Sequence, residues 1–453
     1  MQPPCNAQVT FLLAATFATA LATNPVAATP MGIWSNGDPG MTLSNVHLLG
    51  AASRLPDGRV IAAGGLSLVA PFPAVTTAEL YDPLSRTWSA TAGLNTPRWS
   101  LDAITLTNGR VLFAGGASAF AGAAALSTAE TYDPTTQAFS YTANNLSIAR
   151  QGFGVTALND GRVLIAGGNS SGSNLGGGGV TAVDVFDPAA NLFSAAAAMN
   201  FGRSLHAQVT LRDGRVVVIG GARDNAEIFD PATNTWTVAA GRLPATLKDT
   251  KAFELYDGRV FVAGGQNTAT GVTTDATWYF DPSDGTFTAG PSMAGFNYAP
   301  SGVQVGTADY SAFDLFPSDH PLRGRYILFA GGEHQPPSGP DVELHSSSIF
   351  DAANARFVDM GPMPFIHDDH AESLLWINAD GNPEVLLFGG NRSMGTSRFE
   401  FIATSVPEPS TWALLAVGTL VLLRRGRPTA HRGRTSISHP QHIGVGPRSV
   451  IDI

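Results

Sequence analysis

The sequence predicts an all-β fold built from seven repeats of one antiparallel unit. Seven times along the chain, a Gly-Gly pair follows a short apolar stretch; the first glycines of the pairs are Gly64, Gly115, Gly167, Gly220, Gly264, Gly331 and Gly389. Consecutive pairs lie 51, 52, 53, 44, 67 and 58 residues apart, which is the period of units of about four strands. The 50 Gly and 30 Pro indicate many tight turns, and a 44% hydrophobic content excludes a disordered chain.

The first two strands of each unit are predicted from a turn that precedes the Gly-Gly strand. Five repeats contain an Asn-Gly or Asp-Gly turn there, in the stretches LPDGRV, LTNGRV, LNDGRV, LRDGRV and LYDGRV. Asn, Asp and Gly tolerate the positive φ angles of a type I′ turn. We therefore expect a two-residue hairpin between the first and second strands.

The last two strands are predicted from an aspartate and an aromatic residue. The third strand ends at Asp82, Asp133, Asp187, Asp230, Asp281 or Asp351, and the fourth begins with Trp88, Phe139, Phe193, Trp236, Phe287 or Phe357. The carboxylate can accept backbone N–H groups in the turn, and the ring can pack between units. We expect structural roles for both.

This pattern resembles the kelch repeat over residues 33–402. The resemblance implies a seven-bladed kelch-type β-propeller of four-stranded antiparallel blades around a central channel, here assigned to residues 29–403. The seventh repeat stops after its third strand, so the N-terminal stretch Gly32 to Ser35 is expected to supply the fourth and close the ring, with Trp34 in the place of Trp88. The sixth repeat is expected to carry an insertion, residues 307–324, between its first two strands.

Residues 1–28 are predicted to be a signal peptide. An apolar run from Val9 to Ala22 precedes small residues that permit cleavage. The usual positive charge before such a run is missing, which leaves a buried N-terminal helix as the alternative.

Residues 404–427 resemble the PEP-CTERM sorting signal. The extended Pro407, Glu408 and Pro409 precede an apolar run that is about 20 Å long as a helix, against a hydrocarbon core of about 30 Å. Arg424 and Arg425 follow it. The resemblance implies transient insertion into the inner membrane of a Gram-negative bacterium, cleavage by an exosortase, and a cell-surface or extracellular location; the alternative is a simple short transmembrane tail. Residues 428–453 are predicted to be a polar, disordered tail.

Composition excludes several functions. A net charge of -10 argues against nucleic acid as a partner. The only cysteine, Cys5, lies in the predicted signal peptide, so we expect neither a disulfide nor the cysteine-dependent copper radical site found in some kelch enzymes. No cofactor is expected.

The candidate ligand-binding residues enter the first strand of each repeat. They are Arg98, Arg150, Arg203, Lys251, Tyr298 and His370. Arranged in a ring, they could form a collar over the channel mouth that binds carboxylates or hydroxyl groups. The alternative is that the arginines only hydrogen-bond neighbouring blades.

The densest possible metal cluster is His367-Asp368-Asp369-His370, with the two histidines as weak candidate ligands and a solvated loop as the alternative. We expect an exported binding or structural module that contacts extracellular polysaccharide or a surface or matrix protein. The alternative function is a carbohydrate-active enzyme at the channel mouth, using Asp368, Asp369 or Glu372.

Overall fold

The computed structural model describes residues 31–36, 47–67, 69, 71–119, 124–171, 179–293, 310–316, 320–365, 371–377, 382–388 and 396–402. Its regular secondary structure in these ranges is entirely β. Seven four-stranded antiparallel sheets account for most of it, which confirms the predicted all-β propeller. We call these sheets blades 1 to 7 and their strands inner, second, third and outer.

Blades 1 to 6 each use four consecutive main strands. Blade 1 contains Ala51–Arg54, Val60–Ala63, Ala78–Asp82 and Thr87–Ala90; blade 2 contains Asp102–Thr105, Val111–Ala114, Ala129–Asp133 and Ala138–Tyr141; blade 3 contains Gly154–Ala157, Val163–Ala166, Val183–Asp187 and Leu192–Ala195. Blade 4 contains His206–Thr210, Val216–Gly220, Ala226–Asp230 and Thr235–Val238; blade 5 contains Lys251–Glu254, Val260–Ala263, Thr277–Asp281 and Thr286–Ala289; blade 6 contains Ser311–Asp314, Tyr326–Ala330, Ser346–Asp351 and Arg356–Pro362. Two-residue strands form two further pairs, Leu247–Lys248 with Gln266–Asn267 and Glu333–His334 with Val342–Glu343.

Blade 7 joins the two ends of the propeller. It contains Ala371–Ile377, Pro383–Phe388 and Thr396–Ile402, and its outer strand is the N-terminal Met31–Asn36. Trp34 lies opposite Phe399, with ring centroids 5.0 Å apart, and its Nε1 donates to Ser347 Oγ of blade 6 at 2.6 Å. The predicted closing strand is confirmed, and it extends one residue further at each end.

The core is divided among the blade interfaces. Each of the seven interfaces, including the one between blades 7 and 1, has a cluster of buried apolar residues. The second strand alternates between two interfaces, because successive side chains point to opposite faces of a sheet. In blade 1, Ile61 and Ala63 pack toward blade 2, whereas Val60 and Ala62 pack toward blade 7. Because every interface has such a cluster, including the interface between the last and first blades, the ring of blades is closed.

The hairpins differ from the predicted two-residue type I′ turn. In blade 1, Gly58 N donates to Leu55 O at 3.0 Å and Leu55 N donates to Arg59 O at 2.7 Å. Gly58 has a φ of 92°, whereas the φ of Asp57 is not positive. The connection is therefore a type I turn followed by a glycine bulge, and the same bonds recur in blades 2 to 5. Only the glycine needs positive φ, so the type I′ prediction was wrong.

Blade 6 also departs from the sequence prediction. Its inner strand, Ser311–Asp314, lies inside the segment 307–324 that was predicted to be an insertion. Ser311 pairs with Ala330, immediately before the Gly-Gly pair, and this register identifies it as the start of the inner strand. The insertion prediction placed the inner strand too early in the chain.

Candidate functional site

The two ends of the propeller carry different connections. The end at which the second strands finish bears the Gly-Gly turns and the entries into the inner strands, and we call it the Gly-Gly face. The other end bears the Asn-Gly and Asp-Gly turns and the turns after the third strands, and we call it the hairpin face. Asp102, Gly154 and Lys251 pair with the residues just before Gly-Gly, so these inner strands begin at the Gly-Gly face. Loops at such a mouth are common positions for binding groups.

A cavity of about 480 Å³ lies where these inner strands begin. Its polar lining includes Asp102, His206, Gln208, Thr250 and Lys251. Gly154 leaves room between two of them, because a Cβ there would lie 2.8 Å from His206 Nε2 and 2.5 Å from Gln208 Oε1. Blades 2 to 6 all contribute residues to this cavity, which we call the mouth cavity.

His206 is buried in the mouth cavity beside the side chain of Gln208, and neither ring nitrogen meets the geometry of a hydrogen bond within the described part of the chain. His206 is only 8% exposed. Burial, together with the positive charges of Arg203 and Arg150, lowers the pKa of His206 to about 3, although the neighbouring Gln208 side chain favours the protonated ring. The ring is therefore neutral near pH 7 and offers one N–H donor and one acceptor.

Asp102 and Lys251 place opposite charges in the same cavity. Asp102 Oδ1 accepts a hydrogen bond from Ala103 N at 2.8 Å. Burial raises the pKa of Asp102 to about 6, although that N–H and the charge of Lys251 favour the ionised form. Both residues line the mouth cavity, which therefore contains a carboxyl group and an ammonium group.

The three predicted arginines lie elsewhere. Arg98, Arg150 and Arg203 are each 0% exposed and do not line the mouth cavity. Arg98 donates to Gly115 O at 2.9 Å and pairs with Glu130 at 2.9 Å, and Arg203 makes equivalent contacts with Gly220 O and Glu227. Arg150 pairs with Asp184 in the same way. Their charged groups are thus engaged inside the blades that they enter, with the carbonyl group of the Gly-Gly turn and a carboxylate of the third strand.

Sequence reasoning missed the acidic partners and a fourth member of the series. His47 in blade 1 contacts Gly64 O at 2.8 Å and Glu79 at 3.2 Å, with the same separation of 17 residues from the glycine. Glu79, Glu130, Asp184 and Glu227 each follow the first residue of a buried third strand. A carboxylate recurring in an otherwise apolar strand was the available signal.

Of the predicted collar residues, only Lys251 lines the mouth cavity within the described residues. Tyr298, His367 and His370 lie outside the described residues, as do Asp368 and Asp369. Glu372 falls on the inner strand of blade 7, Ala371–Ile377. Cys5 and the sorting-signal residues Pro407, Glu408, Pro409, Arg424 and Arg425 also lie outside the described ranges.

The described residues contain no group of three or more His, Cys, Asp or Glu side chains that could hold a metal ion. Nor does this part of the chain contain a helix long and apolar enough to span a membrane.

Two motifs in the chain match known families. Residues 252–294 match the kelch motif, and residues 405–427 match the PEP-CTERM protein-sorting motif. No curated protein matches the chain. One solved structure with a similar fold is a novel fungal alcohol oxidase of the AA5 family in complex with copper; it has a TM-score of 0.59 and 16% sequence identity over 82% of this chain and 76% of that one. At that identity the similarity concerns the fold alone.

The seven closed blades, the kelch match in blade 5 and the sorting motif agree with one another. Such sorting motifs direct proteins through the inner membrane of Gram-negative bacteria, where exosortase processes them. The chain is therefore an exported kelch-repeat β-propeller protein with a C-terminal PEP-CTERM sorting motif, directed to the cell surface.

Proposed function

We propose that this protein is a cell-surface binding module that holds a neutral, polyhydroxylated ligand, such as a stretch of extracellular polysaccharide, in the mouth cavity. The observation that carries the proposal is the set of buried polar atoms without partners in that cavity. They are both ring nitrogens of His206, Gln208 Oε1 and Thr250 Oγ1.

Unpartnered buried polar atoms favour a ligand that can both donate and accept hydrogen bonds. Leaving such an atom unsatisfied costs about 1–3 kcal/mol. A sugar hydroxyl can donate to Gln208 Oε1, and another can satisfy either side of the neutral His206 ring. Polyhydroxylated ligands therefore suit this lining better than apolar ones.

The charges favour a neutral ligand. Ionised Asp102 can accept hydrogen bonds from hydroxyl groups, and Lys251 can donate them to a hydroxyl or ring oxygen. A ligand carboxylate could pair with Lys251 but would also approach Asp102, and like charges at short distance repel. A neutral sugar satisfies both residues without this repulsion.

The size of the mouth cavity fits part of a polysaccharide. Its volume of about 480 Å³ lies in the usual range of small-molecule sites, about 300–1,000 Å³. A chain end or short segment can enter such a cavity, whereas a flat surface of a matrix protein would contact only its rim.

Isothermal titration calorimetry with purified propeller tests the proposal. Neutral glucan, galactan and mannan oligosaccharides are titrated beside uronic acid oligosaccharides. We expect saturable binding of at least one neutral series, weakened about tenfold or more by Gln208→Ala or Asp102→Asn, as expected for loss of a buried hydrogen bond. Asp213→Asn, an exposed change on the hairpin face, is the matched control and should leave affinity unchanged. Failure of all neutral series to bind would overturn the proposal.

A carbohydrate-active enzyme at the same cavity is the second candidate. The raised pKa of Asp102, about 6, is the observation that favours it, because general acids often have such values. Incubation of the same oligosaccharides with the protein, followed by mass spectrometry, distinguishes the two. Hydrolysed oligosaccharides that no longer form with Asp102→Asn would show that the mouth cavity is a catalytic site rather than a binding site.

A further inference from the structure

One backbone conformation recurs in blades 1 to 5 where the chain enters the inner strand. In each of these blades, the residue fifteen positions before the first glycine of the Gly-Gly pair has a left-handed backbone. These residues are Leu49, Ser100, Gly152, Leu205 and Asp249, with φ angles between 50° and 59°. We call this the rim position, because it lies at the Gly-Gly face, directly before the inner strand.

Hydrogen bonds join the rim positions of neighbouring blades. Ser100 N donates to Leu49 O at 2.8 Å, Leu205 N donates to Gly152 O at 2.8 Å, and Asp249 N donates to Leu205 O at 2.9 Å. A left-handed backbone favours glycine, yet four of these five residues carry a side chain. The fold therefore accepts a side chain at the rim position, including the leucines of blades 1 and 4.

Three of the rim residues line the mouth cavity, namely Gly152, Leu205 and Asp249. Leu205 and Asp249 carry side chains, whereas Gly152 contributes backbone alone. Because the three positions match in backbone conformation, a side chain at residue 152 would occupy space beside the cavity that Gly152 leaves open. We infer that this gap is the exit through which a polysaccharide longer than the mouth cavity continues over blade 3. The inference rests on the proposed function, and it makes Gly152 the residue that determines which chain lengths the site accepts.

The surface of blade 3 beside this gap suits a neutral, polyhydroxylated chain. The Gly-Gly loop of the blade adjoins the rim, because Asn169 N donates to Gln151 O at 2.8 Å and Gln151 N donates to Asn169 O at 3.0 Å. The described residues of that loop, 167–171 and 179–182, carry no charge, and Ser170 is exposed among them. A sugar chain that leaves over blade 3 therefore meets uncharged polar groups.

The rim is less open in blades 4 and 5. Leu205 places a leucine at the rim of blade 4, and the Gly-Gly loop of that blade carries the exposed Arg223 and its neighbour Asp224. Asp249 places a carboxylate at the rim of blade 5. Covering charged groups with a neutral chain removes water that stabilises them. Of these three blades, blade 3 therefore offers the exit with the smallest loss of hydration.

Isothermal titration calorimetry of Gly152→Leu tests the inference. The ligands are a disaccharide and a hexasaccharide from the neutral series that the wild-type protein binds. We expect Gly152→Leu to weaken binding of the hexasaccharide about tenfold or more and to leave binding of the disaccharide within about twofold, because only the longer chain crosses the rim. Ser100→Leu is the matched control. It places the same side chain at the rim position of blade 2, which does not line the mouth cavity, and should change neither affinity.

Gly152→Leu should fold, because Leu49 and Leu205 adopt the same left-handed backbone. Circular dichroism and thermal unfolding check this. Gly152→Asn is a second variant with less backbone strain, since asparagine is enriched in this conformation. It should also weaken binding of the hexasaccharide more than binding of the disaccharide.

Equal weakening of both ligands would overturn the inferred exit, and so would unchanged binding of the hexasaccharide by the folded variants. Either result would leave the proposed function in place, because the wild-type protein would still bind the sugar. A wild-type protein that binds no neutral oligosaccharide of any length would instead overturn the proposed function, and the inferred exit with it.

Discussion

The guanidinium of Arg203 lies 3.0 Å from the Glu227 carboxylate, and both side chains are completely buried. In blade 5 the equivalent positions are Leu247 and Trp278, which belong to one buried apolar cluster. The fold therefore accepts either an ion pair or an apolar pair at this place. Moving two charges out of water costs free energy, so replacing a whole buried ion pair by apolar residues often leaves the stability of a protein unchanged. Removing only one partner lowers the stability strongly, because it leaves an unpaired buried charge.

A double-mutant cycle on this pair should show strong coupling. Arg203→Leu and Glu227→Leu should each lower the free energy of unfolding by about 3–5 kcal/mol, because each leaves an unpaired buried charge. The double variant should lose at least about 2 kcal/mol less than the sum of the single losses. Urea unfolding measures all four proteins.

The exposed pair Arg242 and Asp224, 2.8 Å apart, is the control for that cycle. Its coupling should be below about 1 kcal/mol, as for other solvent-exposed pairs. Additive losses at Arg203 and Glu227 would mean that their pairing contributes no more than a surface contact.

The Gly-Gly pairs should tolerate alanine less well than the hairpin glycines. Gly65 and Gly58 have similar φ angles, 101° and 92°, so Ala at either position is strained by about 1–2 kcal/mol. A Cβ on Gly65 would also lie 2.7 Å from Leu48 O, whereas a Cβ on Gly58 would meet nothing within 4 Å. Gly65→Ala should therefore cost about 1–3 kcal/mol more than Gly58→Ala in thermal or urea unfolding. Equal losses would contradict a packing role for the Gly-Gly turn.

Repeat spacing predicted the number of blades, the order of strands and the N-terminal closure. It did so because a Gly-Gly pair follows the second strand in all seven repeats of the sequence, and Tyr-Asp or Phe-Asp ends the third strand in six of them. Spacing predicted the site less well. Lys251 seemed equivalent to Arg203, yet it lies 13 residues before its Gly-Gly pair and Arg203 lies 17 before its own. That difference of four residues places one at the mouth cavity and the other inside a blade.

The mouth cavity could not be recognised from sequence because its lining residues differ between blades. His206, Gln208 and Thr250 come from two neighbouring repeats and share no motif. These residues indicate a site because they are buried without hydrogen-bond partners. They become buried only when the blades close into a ring. The turn type was missed for a similar reason, since Asp-Gly suits both a type I′ turn and a type I turn with a glycine bulge.

The closing strand should contribute substantially to stability through Trp34. Trp34→Ala removes the contact with Phe399 and the hydrogen bond to Ser347, so the free energy of unfolding should fall by about 3 kcal/mol. Ile33 on the same strand is 57% exposed, so Ile33→Ala should change the free energy of unfolding by no more than about 0.5 kcal/mol. Differential scanning calorimetry compares the two. Similar melting temperatures for both variants would indicate that Trp34 does not hold the ring closed.

Asp102→Asn should stabilise the protein at neutral pH, with a dependence on pH that identifies the carboxyl group. The pKa of Asp102 is about 6 in the folded protein against an ordinary 3.8. Between these values the folded state retains a proton that the unfolded state has lost, so this group favours folding less as the pH rises from 4 to 6. The variant should therefore be more stable than the wild type by about 1–3 kcal/mol at pH 7.5, and the advantage should vanish near pH 4.

His206 acts in the opposite direction but does not obscure this comparison. Its pKa of about 3 lies below the ordinary 6.5, so its contribution to stability is present above pH 6.5 and is lost progressively as the pH falls toward 3. Both proteins contain His206, and the difference between their free energies of unfolding cancels its effect. Urea unfolding at pH 4, 6 and 7.5 gives that difference. A constant difference across this range would show that Asp102 titrates normally and that its carboxylate is hydrated rather than buried in the mouth cavity.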